Sequence, residues 1–194
     1  KQSATKKKNA SQVLWSRRPA VAADIAAGRG NQRYLAGFDL PGELEATADL
    51  AEAVSGADVV VVGVPTHGFR ETLAAAAPAI GAGVPVISLA KGFEQGTRLR
   101  MTQVAAELLP GHPVGVLSGP NLAKEILEGR AAATVVACSD AGVAGTLQEL
   151  LACDRLRVYT NDGVVGCEVG GDVKNVIALA AGMAEGLGTG DNAR

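Results

Sequence analysis

The chain has 194 residues, enough to bury the core of one large domain or of a domain and a half. Hydrophobic residues make up 47% of it but aromatics only 3%, and Ala, Val, Leu and 25 Gly carry the remainder, a composition suited to close helix-on-sheet layers. A net charge of −2 excludes a global field steering the chain to nucleic acid or membrane, and no apolar run reaches the roughly 18–20 residues that span a bilayer.

In chain order, residues 1–11 are polar, with neither glycine nor an apolar run, and Lys6-Lys7-Lys8 reads as a solvated end. A β-type run at 12–15 is followed by helical stretches at 19–27 and 49–54. The run 57–64 contains Asp58-Val59-Val60-Val61-Val62-Gly63-Val64, apolar without alternation, which predicts a strand buried on both faces in a parallel sheet. Helical stretches at 68–77, 97–109, 123–128 and 141–151 then alternate with β-type runs at 85–89, 114–117, 134–138 and 155–159. This alternation predicts an α/β fold with an open parallel sheet of Rossmann type.

A different pattern starts near Asn161. Thr160-Asn161-Asp162 can cap a helix, and 164–187 then runs without proline. Such a helix is too long for a crossover and reads as the start of an all-helical second domain. The expected organisation is therefore a polar stretch at 1–11, a dinucleotide-binding domain at 12–162, and the first helix of a substrate domain at 163–194, cut short at Arg194. The front is expected to be incomplete too, because the opening strand and G-x-G-x-x-G turn of such a sheet are not found in 1–11. That strand is central in the usual order, so its absence predicts a gap between 12–15 and 57–64.

Ligands of open α/β sheets bind beyond the carboxyl ends of the strands. Four polar segments fall there: Arg17-Arg18, Pro65-Thr66-His67, Ala90-Lys91-Gly92 and Ser118-Gly119-Pro120-Asn121. Arg17 and Arg18 stand where an acidic residue would meet the adenine ribose, and guanidinium groups there favour a 2′-phosphate, hence NADPH over NADH. Lys91, exposed before a glycine, suits contact with a phosphate. The segment from Ser118 reads as a strand end, a tight turn and a helix whose first amides face the cleft, or alternatively as a plain βα turn with an Asn121 cap. His67 and His112 are too isolated to suggest a metal. Cys138, Cys153 and Cys167 read as buried small hydrophobes in a reducing compartment, and the cytoplasm is the expected location.

Within the long helix, 3/4 spacing puts Cys167, Gly170, Gly171, Lys174, Ala178 and Ala181 on one face. Two adjacent glycines cost a helix about 2 kcal/mol relative to alanine, so something is expected to come close to that backbone. A lysine set poorly solvated among small residues could act as acid and base. Close helix packing with the lysine reaching out to water explains the same pattern.

With these residues in view, the chain resembles the bacterial-type NAD(P)-dependent glycerol-3-phosphate dehydrogenases. The matching stretches are Leu14-Trp15-Ser16-Arg17-Arg18-Pro19, Asn31 to Leu35, Gly63-Val64-Pro65-Thr66, Ala90-Lys91-Gly92, Ser118-Gly119-Pro120, Gly170-Gly171-Asp172-Val173-Lys174-Asn175-Val176 and Gly186 to Arg194. The resemblance implies that Trp15, Arg17, Arg18, Tyr34, Lys91 and Ala123 bind NADPH (or NADH). It implies that Lys91, Gly119, Asn121 and Lys174 meet dihydroxyacetone phosphate or sn-glycerol 3-phosphate, with Lys174 the proton donor or acceptor. Asn121 departs from the family, where Ser or Thr is usual. A phosphate-binding Ser-Arg-Asn cluster and a catalytic aspartate are expected beyond Arg194. A homodimer is possible, and glycerophospholipid synthesis is the implied pathway. The alternatives are another 2-/3-hydroxyacid or ketopantoate-type reductase, and a non-catalytic nucleotide-binding fragment.

Overall fold

Valine and isoleucine, stiff at the β-carbon and suited to a pleated surface, nucleate the central strands. The computed structural model describes residues 10–190. Its elements are β1 (Gln12–Trp15), α1 (Pro19–Ala26), β2 (Leu44–Thr47), α2 (Leu50–Val54), β3 (Val60–Val62), α3 (Thr66–Ala76), β4 (Val86–Ser88), α4 (Met101–Leu108), β5 (Val114–Ser118), α5 (Ala123–Leu127), β6 (Ala132–Cys138), α6 (Ala141–Leu151), β7 (Leu156–Asn161) and α7 (Val164–Gly186). The α/β fold expected from the alternation is the fold observed. The polar stretch 1–11 lies almost wholly outside the described residues.

Five strands form one sheet in the order β3-β4-β5-β6-β7, while β1 and β2 form a separate parallel pair. The interruption falls where the gap was expected, with β1 and β3 each paired on one side only among the described residues. This corrects one expectation. Val60 and Val62 are buried but Val61, which alternation turns to the opposite face, is 51% exposed, because that face of β3 is left uncovered by the described residues. Strand β4 is buried along its whole length and so is covered on both faces. Val86 packs with Phe69, Leu73, Met101 and Val104 under α3 and α4, whereas Ile87 packs with Val136, Leu147 and Val158 under α6.

The sheet is parallel except at one junction, since β6 runs antiparallel to β5. The physical reason is the connection. Helix α5 has five residues, about 7.5 Å at 1.5 Å per residue. It cannot carry the chain back along β5, which at 3.3 Å per residue is roughly 16 Å long. The chain re-enters at the end it left, with Val135 opposite Ser118.

Sequence reading missed β2. Leu44-Glu45-Ala46-Thr47 is short and weak in β-formers, and pairing with β1 is what makes it a strand. Two further corrections concern helix starts. The fourth helix begins at Met101, not 97, because Phe93 and Arg100 pair in an antiparallel bridge. The start of α7 is not capped by Asn161 directly: Gly163 is the cap residue, and Asn161 Oδ1 accepts the Gly163 N–H at 2.6 Å. Cys153 is exposed in the turn before β7, unlike the buried Cys138, whose thiol burial pushes up. No helix among the described residues is long and apolar enough to cross a membrane.

Candidate active site

At the carboxyl end of β4 the chain turns through Ala90-Lys91-Gly92, and Gly92 has φ +113°, a region that side chains rarely enter. The turn places Lys91 in solvent, reaching sideways to donate from Nζ to the Gly119 carbonyl at 3.3 Å. Lys91 thus ties the end of β4 to the end of β5. Gly119 itself must be glycine, because a Cβ there would lie 2.9 Å from the Ala133 carbonyl of β6.

Helix α7 lies across this rim. A Cβ on Gly171 would fall 2.5 Å from Ser118 Oγ, so the close approach expected of the double glycine is met at Gly171, where α7 passes over the end of β5. Gly170 has open space beside it. Two carboxylates on an adjacent helix face, Glu168 and Asp172, point to the sheet. Glu168 is 2% exposed and accepts from Thr102 N at 2.9 Å, Thr102 Oγ1 at 2.5 Å and Arg100 Nη1 at 2.8 Å. Asp172 Oδ1 accepts from Gly92 N at 2.6 Å, while its Oδ2 is buried without a partner. Burial first, and the nearby Glu168 charge less, push the Asp172 carboxyl above its ordinary range; the Gly92 N–H, Lys91 and Arg100 pull the other way.

Lys174 stands one turn beyond Gly171 and is exposed, not sheltered as expected. The reason is that Ala178 and Ala181 on the same face are exposed too, so no described segment closes over the lysine. The residues from Val176 to Leu187 leave Val176, Ile177, Leu179, Met183 and Leu187 more than 60% exposed, and α7 is apolar on faces that the described residues do not cover.

Of the four polar segments, three meet. Thr66 lies against Gly92, Lys91 joins Gly119, and α7 bridges them. His67 is exposed at the head of α3 and takes no part. Arg17-Arg18 instead follows β1 in the smaller sheet, with Arg18 at the N-terminal boundary of α1. There Arg33 and Arg18 gather round Tyr34: the Arg33 guanidinium stacks 5.6 Å from the Tyr34 ring, and hydrogen bonding from Arg33 foremost, aided by Arg18, lowers the phenol pKa. Trp15 is tied down by its indole, which donates to the Ala48 carbonyl at 3.1 Å.

Asn121 turns its amide inward, donating from Nδ2 to Thr134 Oγ1 at 2.9 Å, which in turn donates to the Ser118 carbonyl at 3.0 Å. Its Oδ1 is buried without a partner. Asn121 does not make the cap expected of a βα turn, because Leu122 occupies the cap position of α5 and offers no polar side chain. With only five residues, α5 also lacks the aligned amides that an anion site at its start would need. Ala123 opens that helix and is exposed. Sequence reading missed Arg33, Arg100, Glu168 and Asp172. The signal available was the i, i+4 spacing of Glu168 and Asp172 on one helix face. No group of three or more metal-ligating side chains occurs among the described residues.

Comparison with known proteins agrees with this geometry. The pattern of the NAD-dependent glycerol-3-phosphate dehydrogenase N-terminus matches residues 3–144, and that of the same family's C-terminus matches residues 163–194. A glycerol-3-phosphate dehydrogenase [NAD(P)+] of Sphingopyxis alaskensis is 50% identical over 187 residues, covering 96% of this chain and 56% of the relative. One from Mycobacterium avium is 51% identical over 184 residues, 94% of this chain and 54% of the relative. The crystal structure of glycerol-3-phosphate dehydrogenase from Coxiella burnetii superposes with a TM-score of 0.81 at 34% identity, covering 93% of this chain and 55% of that one. The chain thus spans about half the length of the curated relatives it matches. With its parallel strands, its lysine turn after β4 and its glycine-bearing helix laid over β5, the chain belongs to the NAD-dependent glycerol-3-phosphate dehydrogenase family.

Proposed function

We propose that this chain is the nucleotide-binding part of an enzyme interconverting dihydroxyacetone phosphate and sn-glycerol 3-phosphate, with NADPH preferred over NADH. In this reading residues 12–162 bind the dinucleotide, and 163–194 begin a helical substrate domain. The observation that carries the reading is the meeting of the Lys91 turn with the helix bearing Lys174 at the carboxyl end of the strands.

The residues present suit a phosphorylated dinucleotide. Arg17, Arg18 and Arg33 make no ion pair among the described residues, so no carboxylate competes with a 2′-phosphate for their guanidinium groups. Tyr34 beside them offers an exposed aromatic face to the adenine. Trp15, Lys91 and Ala123 complete the cofactor contacts, and Lys91, Gly119, Asn121 and Lys174 those of the substrate. Bound NADPH supplies the hydride. Lys91, as an exposed ammonium, meets the substrate phosphate as a point charge. The Lys174 ammonium stabilises the negative charge that develops on the carbonyl oxygen and then delivers its proton. In the reverse direction the neutral amine takes that proton from the alcohol. A cytoplasmic enzyme, alone or as a homodimer, without nucleic acid or membrane insertion and feeding glycerophospholipid synthesis, completes the proposal.

The test is to purify the complete gene product and follow NADPH oxidation with dihydroxyacetone phosphate, ketopantoate and a panel of other oxoacids. Turnover confined to dihydroxyacetone phosphate is expected. Preferential turnover of ketopantoate or another oxoacid, or cofactor binding without turnover of any of them, would refute the assignment.

A further inference from the structure

The two carboxylates on the sheet-facing side of α7 differ in what they do for the fold. Glu168 is satisfied three times over by Arg100 and Thr102. Asp172 has one acceptor bond, to the Gly92 N–H, and one buried oxygen with none. Such a group costs stability when ionised. The sign follows from linkage. Its folded-state pKa is raised, so the stability it contributes is present in acid, where it is protonated, and is lost as pH rises through the folded value. When ionised, the side chain is therefore a net burden, held where the Lys91 turn touches the lysine helix. Strain of this kind concentrates where it serves function.

We propose that Asp172 is a positioning residue: its carboxylate, by accepting the Gly92 N–H, fixes the Ala90-Lys91-Gly92 turn against α7 and so aims the Lys91 ammonium at the substrate phosphate. The proposal rests on the functional reading above. Four groups face Asp172. Lys91 and the Gly92 amide come from the β4 turn, Arg100 from the head of α4, and Glu168 from one turn earlier on α7. Burial foremost, and Glu168 after it, disfavour the ionised carboxylate, while the Gly92 N–H and both cations favour it. Asp172 and Lys174, two positions apart, do not share a helix face. Asp172 therefore acts on substrate binding through Lys91 and leaves the proton transfer of Lys174 untouched. Protonation of Asp172 weakens the acceptor and removes the charge beside Lys91. The grip on the phosphate then loosens toward acid pH, starting at a higher pH than an ordinary aspartate would give.

The experiment compares the complete gene product with its Asp172→Ala and Asp172→Asn variants. Three quantities are read: kcat and KM for dihydroxyacetone phosphate across pH, thermal unfolding at neutral pH, and amide hydrogen exchange of the segment containing Gly92. Asp172→Ala is expected to raise KM about tenfold, the scale of one lost charge-assisted hydrogen bond, with kcat within about threefold. Its Gly92 amide exchanges faster. Asp172→Asn keeps an acceptor oxygen for Gly92, so KM returns to within about twofold at neutral pH, but the acid-side rise in KM seen in the unmodified protein disappears. Neither variant unfolds at a lower temperature. An unchanged KM in Asp172→Ala, or a pH profile of Asp172→Asn identical to the unmodified protein, overturns the proposal. So does a fall in Tm without a KM effect, the mark of a purely structural carboxylate. If the unmodified protein fails to reduce dihydroxyacetone phosphate, the functional reading falls, and Gly92 exchange still decides whether Asp172 holds the turn.

Discussion

Replacing Glu168 with alanine should detach α7 from the sheet at its strongest anchor. The side chain is 1% exposed in its ion pair, and Arg100 opposite it is 17% exposed, so the pair is little screened by solvent. Alanine removes three acceptor bonds, two of them to Thr102, and leaves Arg100 as a largely buried cation without its carboxylate. Breaking one side of a buried pair costs about 3–5 kcal/mol. Against a total stability of about 5–15 kcal/mol this is a large loss. At roughly 2–4 °C per kcal/mol for a domain of this size, Tm should fall by about 6–20 °C. The assay is thermal unfolding of the complete gene product by circular dichroism, for Glu168→Ala, Arg100→Met and the double variant. Because the double variant strands neither charge, its loss should be smaller than the sum of the singles by at least about 1 kcal/mol. A Tm change under about 2 °C in Glu168→Ala, or strict additivity in the cycle, would refute the claim that this network holds the helix.

Other expectations follow from the same geometry. Lys174→Ala should lower kcat by about 10²–10⁴ while NADPH affinity stays within a few-fold, as read by steady-state kinetics and fluorescence titration; residual activity above about a tenth would remove Lys174 from its role. Alanine at both Arg17 and Arg18 should weaken NADPH by about 10-fold or more and NADH far less, and equal kcat/KM for the two cofactors in the unmodified protein would contradict the guanidinium reading. Gly171→Ala should raise KM or lower Tm, because the added Cβ would sit 2.5 Å from Ser118 Oγ and must push α7 off the rim, whereas Gly170→Ala, which meets nothing within 4 Å, should be neutral or stabilising. Arg70 and the Thr97 hydroxyl hold the Glu94 carboxyl at about 2. The stability Glu94 contributes is therefore complete above the ordinary carboxylate range and is lost as pH falls toward 2. In Arg70→Met the acid-induced fall in Tm should be shallower, and an unchanged slope would dismiss the pair as a contributor.

Sequence periodicity was enough for the alternation of strands and helices, for the long helix beginning at Val164, and for the break in the sheet beside β3, because these depend on local patterns and on a strand's need for a partner. Residue type at strand ends was enough to bring Lys91, Gly119, Arg17 and Arg18 into view, since ligands of such sheets bind there. The reversal of β6 could not be read, as strand direction is decided by where a connection re-enters the sheet and not by which residues form the strand. Nor could β2 be found, a four-residue strand that exists through its pairing with β1. The exposure of Val61 and of Lys174 likewise depends on which neighbours are in place, a property of no single segment. The least legible features were Glu168 and Asp172. Each is an unremarkable helix carboxylate in the sequence. Each gains its meaning from a backbone N–H 66 or 80 residues away, and only folding can bring such donors and acceptors together.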